Sequence, residues 1–117
     1  MSFLAATKRV QTMDDIRSLT EKIRAQLKER YGSKVRQIIL YGSFARGKAT
    51  SESDVDLLVV VDDSLDPWEV RRSLDDVLLG LLLEQGRLIS VVVLPKNFYE
   101  NYNSPFLIQV RRKGIPL

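Results

Sequence analysis

Tyr41-Gly-Ser-Phe-Ala-Arg-Gly-Lys-Ala-Thr-Ser-Glu-Ser-Asp-Val-Asp-Leu-Leu-Val-Val60 decides how the chain is read. One apolar run, Val35 to Tyr41, leads into the Gly-Ser pair, and a second, Val55 to Val61, leaves the acids Asp54 and Asp56. Both runs are short, rich in β-branched residues and bounded by turn formers, the pattern of buried strands. The link from Ser43 to Ser53 is too short for a regular crossover helix, which predicts antiparallel neighbours. Residues i and i+2 of a strand share a face, so Asp54 and Asp56 project side by side, roughly 6–7 Å apart along the backbone. Val55, Leu57 and Val59 then point the other way, into the core. Two carboxylates this close repel unless a cation lies between them. Mg²⁺ is commonly held by one or two carboxylates plus substrate phosphates, and Asp54 and Asp56 are the candidate ligands.

Gly42 and Ser43 supply the other half. Glycine allows a ligand close to the backbone, and a helix starting at Ser43 would turn free N–H groups and its positive end toward an anion. The Ser43 hydroxyl adds a donor, Arg46 and Lys48 add charge, and an arginine can fork onto phosphate oxygens. Gly47 closes the segment. A Gly-Ser pair alone is usually a turn, and a D-x-D alone is common in acidic loops. Here the acids open a run of Leu and Val, where an uncompensated charge pair is costly. The conjunction therefore points to a phosphate and metal cradle.

The remaining composition narrows the chemistry. The chain has 117 residues, the size of one ordinary domain, and 44% apolar residues, enough for a core. With no cysteine and no histidine, disulfides, thiolate zinc sites and the commonest general base are excluded. No apolar run reaches membrane-spanning length, and the first residues lack the order of a signal peptide, so a cytoplasmic protein is expected. A net charge of +3 is too mild to read as nucleic-acid binding, and direct nucleic-acid contact is not expected. Arg111-Arg112-Lys113 reads as a helix C-terminus complementing its dipole, with an acidic partner or RNA as the alternative.

Outside the central block, residues 1–11 read as a loose arm or a short extra element. Thr12 to Asp15 reads as a helix start, and Ile16, Leu19, Ile23, Leu27 and Tyr31 follow at helical spacing up to Gly32. Asp62 and Asp63 read as a turn. Asp66, Pro67 and Glu69 signal a helix running to about Glu84, with Gly86 past its end. Its apolar stripe is Val70, Leu74, Val77, Leu78, Leu81 and Leu82, widened by Leu79 and Leu83. Such width means either a broad core face or a surface for another chain, as a homo- or hetero-oligomer. Leu88 to Leu94 reads as a third strand covered on both faces. Asn97 to Asn101 forms a helical turn, and Ser104-Pro105 opens a last helix with Phe106, Leu107 and Val110 inward. The expected fold is α/β (α+β): a small mixed sheet of three to four strands flanked by helices.

Gly42-Ser43, ten residues, then Asp54-x-Asp56 resembles the signature of the minimal nucleotidyltransferase (MNT) domain, in the DNA polymerase β-like nucleotidyltransferase superfamily. Gly-Ser-Phe-Ala-Arg-Gly and Ser-Asp-Val-Asp-Leu match it residue by residue, and the chain has the length of a bare MNT domain. The resemblance implies transfer of AMP from ATP, with Mg²⁺, to a hydroxyl. It implies that Gly42 and Ser43 contact the triphosphate, that Asp54 and Asp56 bind metal and carry catalysis, and that Arg46 steadies loop or phosphates. Small free-standing members often act as antitoxins to HEPN-domain toxins, some by adenylylating a toxin tyrosine. The superfamily commonly carries a third acid on the next strand. Here no Asp or Glu lies between Arg87 and Lys96, and Ser90 aligns with the third acid. A phenol, with a pKa of about 10, ionises more readily than a sugar hydroxyl, so a two-acid site favours tyrosine as acceptor. Three readings stand at this point: an adenylylating antitoxin, a module that neutralises a toxin by contact, and a small-molecule transferase of the aminoglycoside-inactivating kind. Members of the last carry an extra domain, and the chain's length argues against it.

Overall fold

The computed structural model describes residues 13–47 and 54–117. The proposed arm at 1–11, the Thr12 cap, Lys48 and Ser53 lie outside the described residues. Helix α1 (Met13–Tyr31) is followed by a 3₁₀ turn (Gly32–Lys34), strand β1 (Val35–Tyr41) and strand β2 (Val55–Val61). Helices α2 (Pro67–Arg72) and α3 (Asp75–Gln85) lead to β3 (Ile89–Pro95), α4 (Lys96–Asn101), α5 (Pro105–Lys113) and the short β4 (Ile115–Pro116).

The sheet order is β3-β2-β1-β4. β1 and β2 are antiparallel, as their short link requires, with Tyr41 opposite Asp56 and Leu40 opposite Leu57. β2 and β3 are parallel, joined through α2 and α3, with Asp56 opposite Ser90. Strand alternation divides the core. Val55, Leu57, Val59 and Val61 pack with Ile16, Ile23 and Leu27 of α1 and with Leu74 and Leu81 of the α2–α3 segment. Leu58 and Val60 face the other layer, with Ile39, Tyr99 of α4, and Leu107 and Val110 of α5. Asp56 shares the parity of Leu58 and Val60 and so opens toward α5.

Four expectations need correction. The helix foreseen over 67–84 is two helices. Asp66 caps the first, its carboxylate accepting from Trp68 N–H, but Leu74 N–H bonds back only to Arg71 O and the chain starts a new helix at Asp75. The Ser73 hydroxyl bonds Val70 O instead of leaving the ladder undisturbed. Leu82, assigned to the buried stripe, is exposed, as are Leu79 and, at 75%, Leu83. β3, an edge of the sheet, is fully covered on one face only: Ile89, Val91 and Val93 are buried, Val92 and Leu94 are half-buried against the second core, and Ser90 is open. Its outer side is not bare, because Arg71 Nε donates to Val91 O at 3.2 Å while its Nη1 pairs with Asp75 at 2.8 Å. Last, Leu107 and Val110 face inward as expected, but Phe106 is 41% exposed.

The acid turn after β2 is structural, as its composition implied. Asp62 accepts from Ser64 and pairs with Arg36 at 2.7 Å, and these partners hold its carboxyl well below the usual range. Asp63 accepts from Asn97 N–H at the start of α4. Arg111 donates to the carbonyls of Tyr99 and Tyr102, tying α4 to α5.

Candidate active site

One end of the sheet gathers Gly42, Arg46, Asp54 and Asp56. Gly42 leaves β1 at φ +79°, a left-handed conformation that a side chain resists. A Cβ at Gly42 would collide with Asp56 Oδ2 and lie 3.2 Å from its Cγ. The bend and the second acid therefore touch, and only a residue without a side chain allows it. Residues 42–47 form consecutive turns, with Arg46 N–H on Gly42 O at 3.2 Å and Gly47 N–H on Phe44 O at 3.3 Å. This corrects the helix expected from Ser43. Gly42 and Gly47, both at positive φ, bracket too few residues to propagate one.

Electrostatics tie the cluster together. Partial burial, then the charge of Asp54, raise the Asp56 carboxyl above the ordinary aspartate value, and Arg46 pulls it back down. Asp54, Asp56 and Arg46 are thus close enough to feel one another. Burial, then Asp56, raise the Tyr41 phenol, which stays protonated at neutral pH. Along the sheet, Tyr41, Asp56 and Ser90 form one row on neighbouring strands. Ser90, opposite Asp56, is exposed. Among the described residues no three His, Cys, Asp or Glu side chains converge. The donor set is two carboxylates, which fits a hard cation completed by phosphate oxygens.

Sequence reasoning missed Arg87. It reads as the polar flank of a strand, yet it is only 5% exposed and its guanidinium lies 5.9 Å from the centre of the Phe44 ring. Arg87 thus buttresses the turn carrying Ser43 from behind. No local pattern marks it, since the partner is 43 positions away in the chain (87 minus 44). Arg87→Ala is expected to lower stability by about 2–4 kcal/mol in urea titration, because packing and the polar contacts of a buried cation go together.

Known proteins resemble this chain in sequence and fold. The family model described as the nucleotidyltransferase domain matches residues 20–115. A Methanocaldococcus jannaschii protein provisionally named a protein adenylyltransferase is 37% identical over 103 residues, covering 87% of this chain and 96% of that protein. Protein adenylyltransferase MntA of Thermococcus cleftensis is 44% identical over 48 residues, 41% of this chain and 46% of its own length. A solved structure provisionally described as a minimal nucleotidyltransferase has a TM-score of 0.59 at 26% identity, covering 89% of this chain and 94% of that one. The crystal structure of a toxin–antitoxin with AMP-PNP has a TM-score of 0.54 at 23% identity, covering 82% and 69%, a likeness of fold. No helix among the described residues is long and apolar enough to cross a membrane. With the family model spanning most of the sequence and a relative matched along nearly its whole length, the chain belongs to the nucleotidyltransferase domain family, beside its minimal members and protein adenylyltransferases.

Proposed function

We propose that this chain acts as one nucleotidyltransferase domain, in the cytoplasm, moving AMP from ATP to a tyrosine hydroxyl of a HEPN toxin and so serving as its antitoxin. The observation that carries the reading is the direct apposition of Gly42 and Asp56, with Asp54 and Arg46 in electrostatic reach. Relatives named protein adenylyltransferases and a neighbour described as a toxin–antitoxin with AMP-PNP support it.

In this reading Asp54 and Asp56 hold Mg²⁺. The bound ion would offset phosphate charge and polarise the α-phosphorus. Gly42 leaves room for the triphosphate against the backbone, the Ser43 hydroxyl donates to a phosphate oxygen, and Arg46 balances charge. The phenolic oxygen bonds the α-phosphorus as the bond from that phosphorus to the β-bridging oxygen breaks. Pyrophosphate leaves, AMP stays on the tyrosine, and the phenolic proton goes to water. A phenol suits a site with Ser90 in place of a third acid, since it needs the least help to ionise.

Two measurements test this. ATP labelled at the α-phosphate should pass its label to a tyrosine of the toxin, and Asp54→Asn and Asp56→Asn should each stop it. Ser90 also favours a second reading, neutralisation by contact alone: a doubly substituted Asp54→Asn, Asp56→Asn protein that still silences the toxin would establish it. Ser90→Asp is expected to restore a third acid beside Asp56 and raise transfer to a ribose hydroxyl about tenfold relative to tyrosine. Efficient labelling of a sugar or an RNA 3′ end by the unaltered protein, with no tyrosine modified, would sink the acceptor assignment.

A further inference from the structure

We propose that the cavity between the 42–47 turn and α5 receives the adenine end of the nucleotide, with Gln109 reading the base; this rests on the phosphate cradle proposed above. The cavity measures about 390 Å³, within the range of roughly 300–1,000 Å³ typical of small-ligand clefts. It begins at Tyr41 and Gly42, the two residues that face Asp56, and is also lined by Arg46, so it adjoins the cradle. Phe106, Gln109, Val110 and Lys113 of α5 close it, spaced as one helix face.

Its chemistry is that of a base site. Phe106 meets Tyr41 edge to face, with ring centroids 5.2 Å apart, and leaves part of its own ring open. A flat heteroaromatic ring can cover that surface and gain stacking energy. Gln109 brings a carboxamide, a donor and an acceptor side by side, to a mostly apolar wall. Adenine presents an exocyclic N–H₂ next to a ring-nitrogen acceptor, and one carboxamide satisfies both. Guanine presents two acceptors at the corresponding edge, only one of which the carboxamide can meet. A tyrosine ring offers a single hydroxyl and would leave half of the carboxamide unused. Lys113 also lines the cavity and makes no ion pair among the described residues.

The wall is held firmly enough to select. Leu107 and Val110 are buried, and the Ser104 hydroxyl caps α5 by accepting from Leu107 N–H at 3.1 Å. Gly114 sits so tightly that a Cβ there would lie 2.5 Å from Ile39 Cγ2, and β4 pairs with β1 immediately after it. A site on such fixed elements discriminates better than one on a free loop.

Calorimetric titration of the full chain, with Mg²⁺, against ATP, GTP and inorganic tripolyphosphate tests the inference. The unaltered protein should bind ATP at least about tenfold more tightly than GTP. Gln109→Ala should weaken ATP about tenfold, erase the preference and leave tripolyphosphate unchanged. Phe106→Ala, with its fold verified by circular dichroism, should weaken both nucleotides but not tripolyphosphate. If Gln109→Ala binds ATP and GTP as the unaltered protein does, while Asp56→Asn loses tripolyphosphate, the base lies elsewhere and the phosphate cradle stands. If Gln109→Ala binds ATP normally yet no longer modifies the toxin, the cavity holds the acceptor ring and the inference is overturned. If the unaltered protein binds neither ATP nor tripolyphosphate, the cradle itself is refuted and the base site with it.

Discussion

Asp56→Asn is expected to cut AMP transfer by about a thousandfold, because an amide cannot balance a cation and a triphosphate as a carboxylate does. The same change should make the metal-free fold slightly more stable at neutral pH. Burial and the Asp54 charge raise the Asp56 carboxyl above its unfolded value, despite Arg46. A carboxyl raised in this way holds its proton more tightly in the folded chain than in the unfolded one. Its stabilising contribution is complete below the unfolded value and is lost as pH rises through the folded one. Asparagine stays neutral and escapes that loss. The gain, on the order of 0.5 kcal/mol for a group this open to solvent, should appear in thermal melts with chelator at pH 7 and vanish near pH 3. A destabilised Asp56→Asn protein at pH 7 would mean that the acid is held by contacts of its own, and the picture of two crowded charges only partly offset by Arg46 would fail.

Gly42→Ala is expected to be nearly as damaging, for a steric reason. Its φ of +79° costs a side chain about 1–2 kcal/mol, and the new Cβ must also displace the Asp56 carboxylate. A total loss near 2–4 kcal/mol is expected in urea titration, with transfer reduced about a hundredfold by the misplaced acid. Gly47→Ala is the matched control. Gly47 has φ +70° but no described atom within 4 Å of the added carbon. It should lose about 1 kcal/mol from the backbone alone and keep its activity. Equal activity losses at the two glycines would show that the collision with Asp56 is not what matters at Gly42.

The central block was legible because two periodicities met in it. The alternation of β2 fixes which way Asp56 points, and the short link fixes β1 beside it, so Gly42 and Asp56 could be brought together on paper; the pairing of Tyr41 with Asp56 came from the register. Ser90 was singled out by the resemblance to the family pattern, and the parallel register places it opposite Asp56. What could not be read depends on pairings remote in the chain. The break at Ser73 and Leu74 is hidden in a sequence whose helical periodicity runs straight through it. β4 is only two residues long and owes its existence to the β1 edge it meets. The burial of Arg87 needs Phe44, and the exposure of Phe106 needs the space beside Tyr41. Tertiary contacts, not local preference, decide each of these.

The edge strand of a sheet invites another chain to continue it, since its outer backbone carries donors and acceptors outside the ladder. β3 is such a rim, and it is made almost wholly of valine, leucine and isoleucine, a composition that favours self-stacking. The guanidinium of Arg71 occupies one of those acceptors, at Val91. A newcomer laying itself along the rim would have to evict a cation already anchored to Asp75. One side chain thereby helps keep the molecule from polymerising through the strand that carries Ser90.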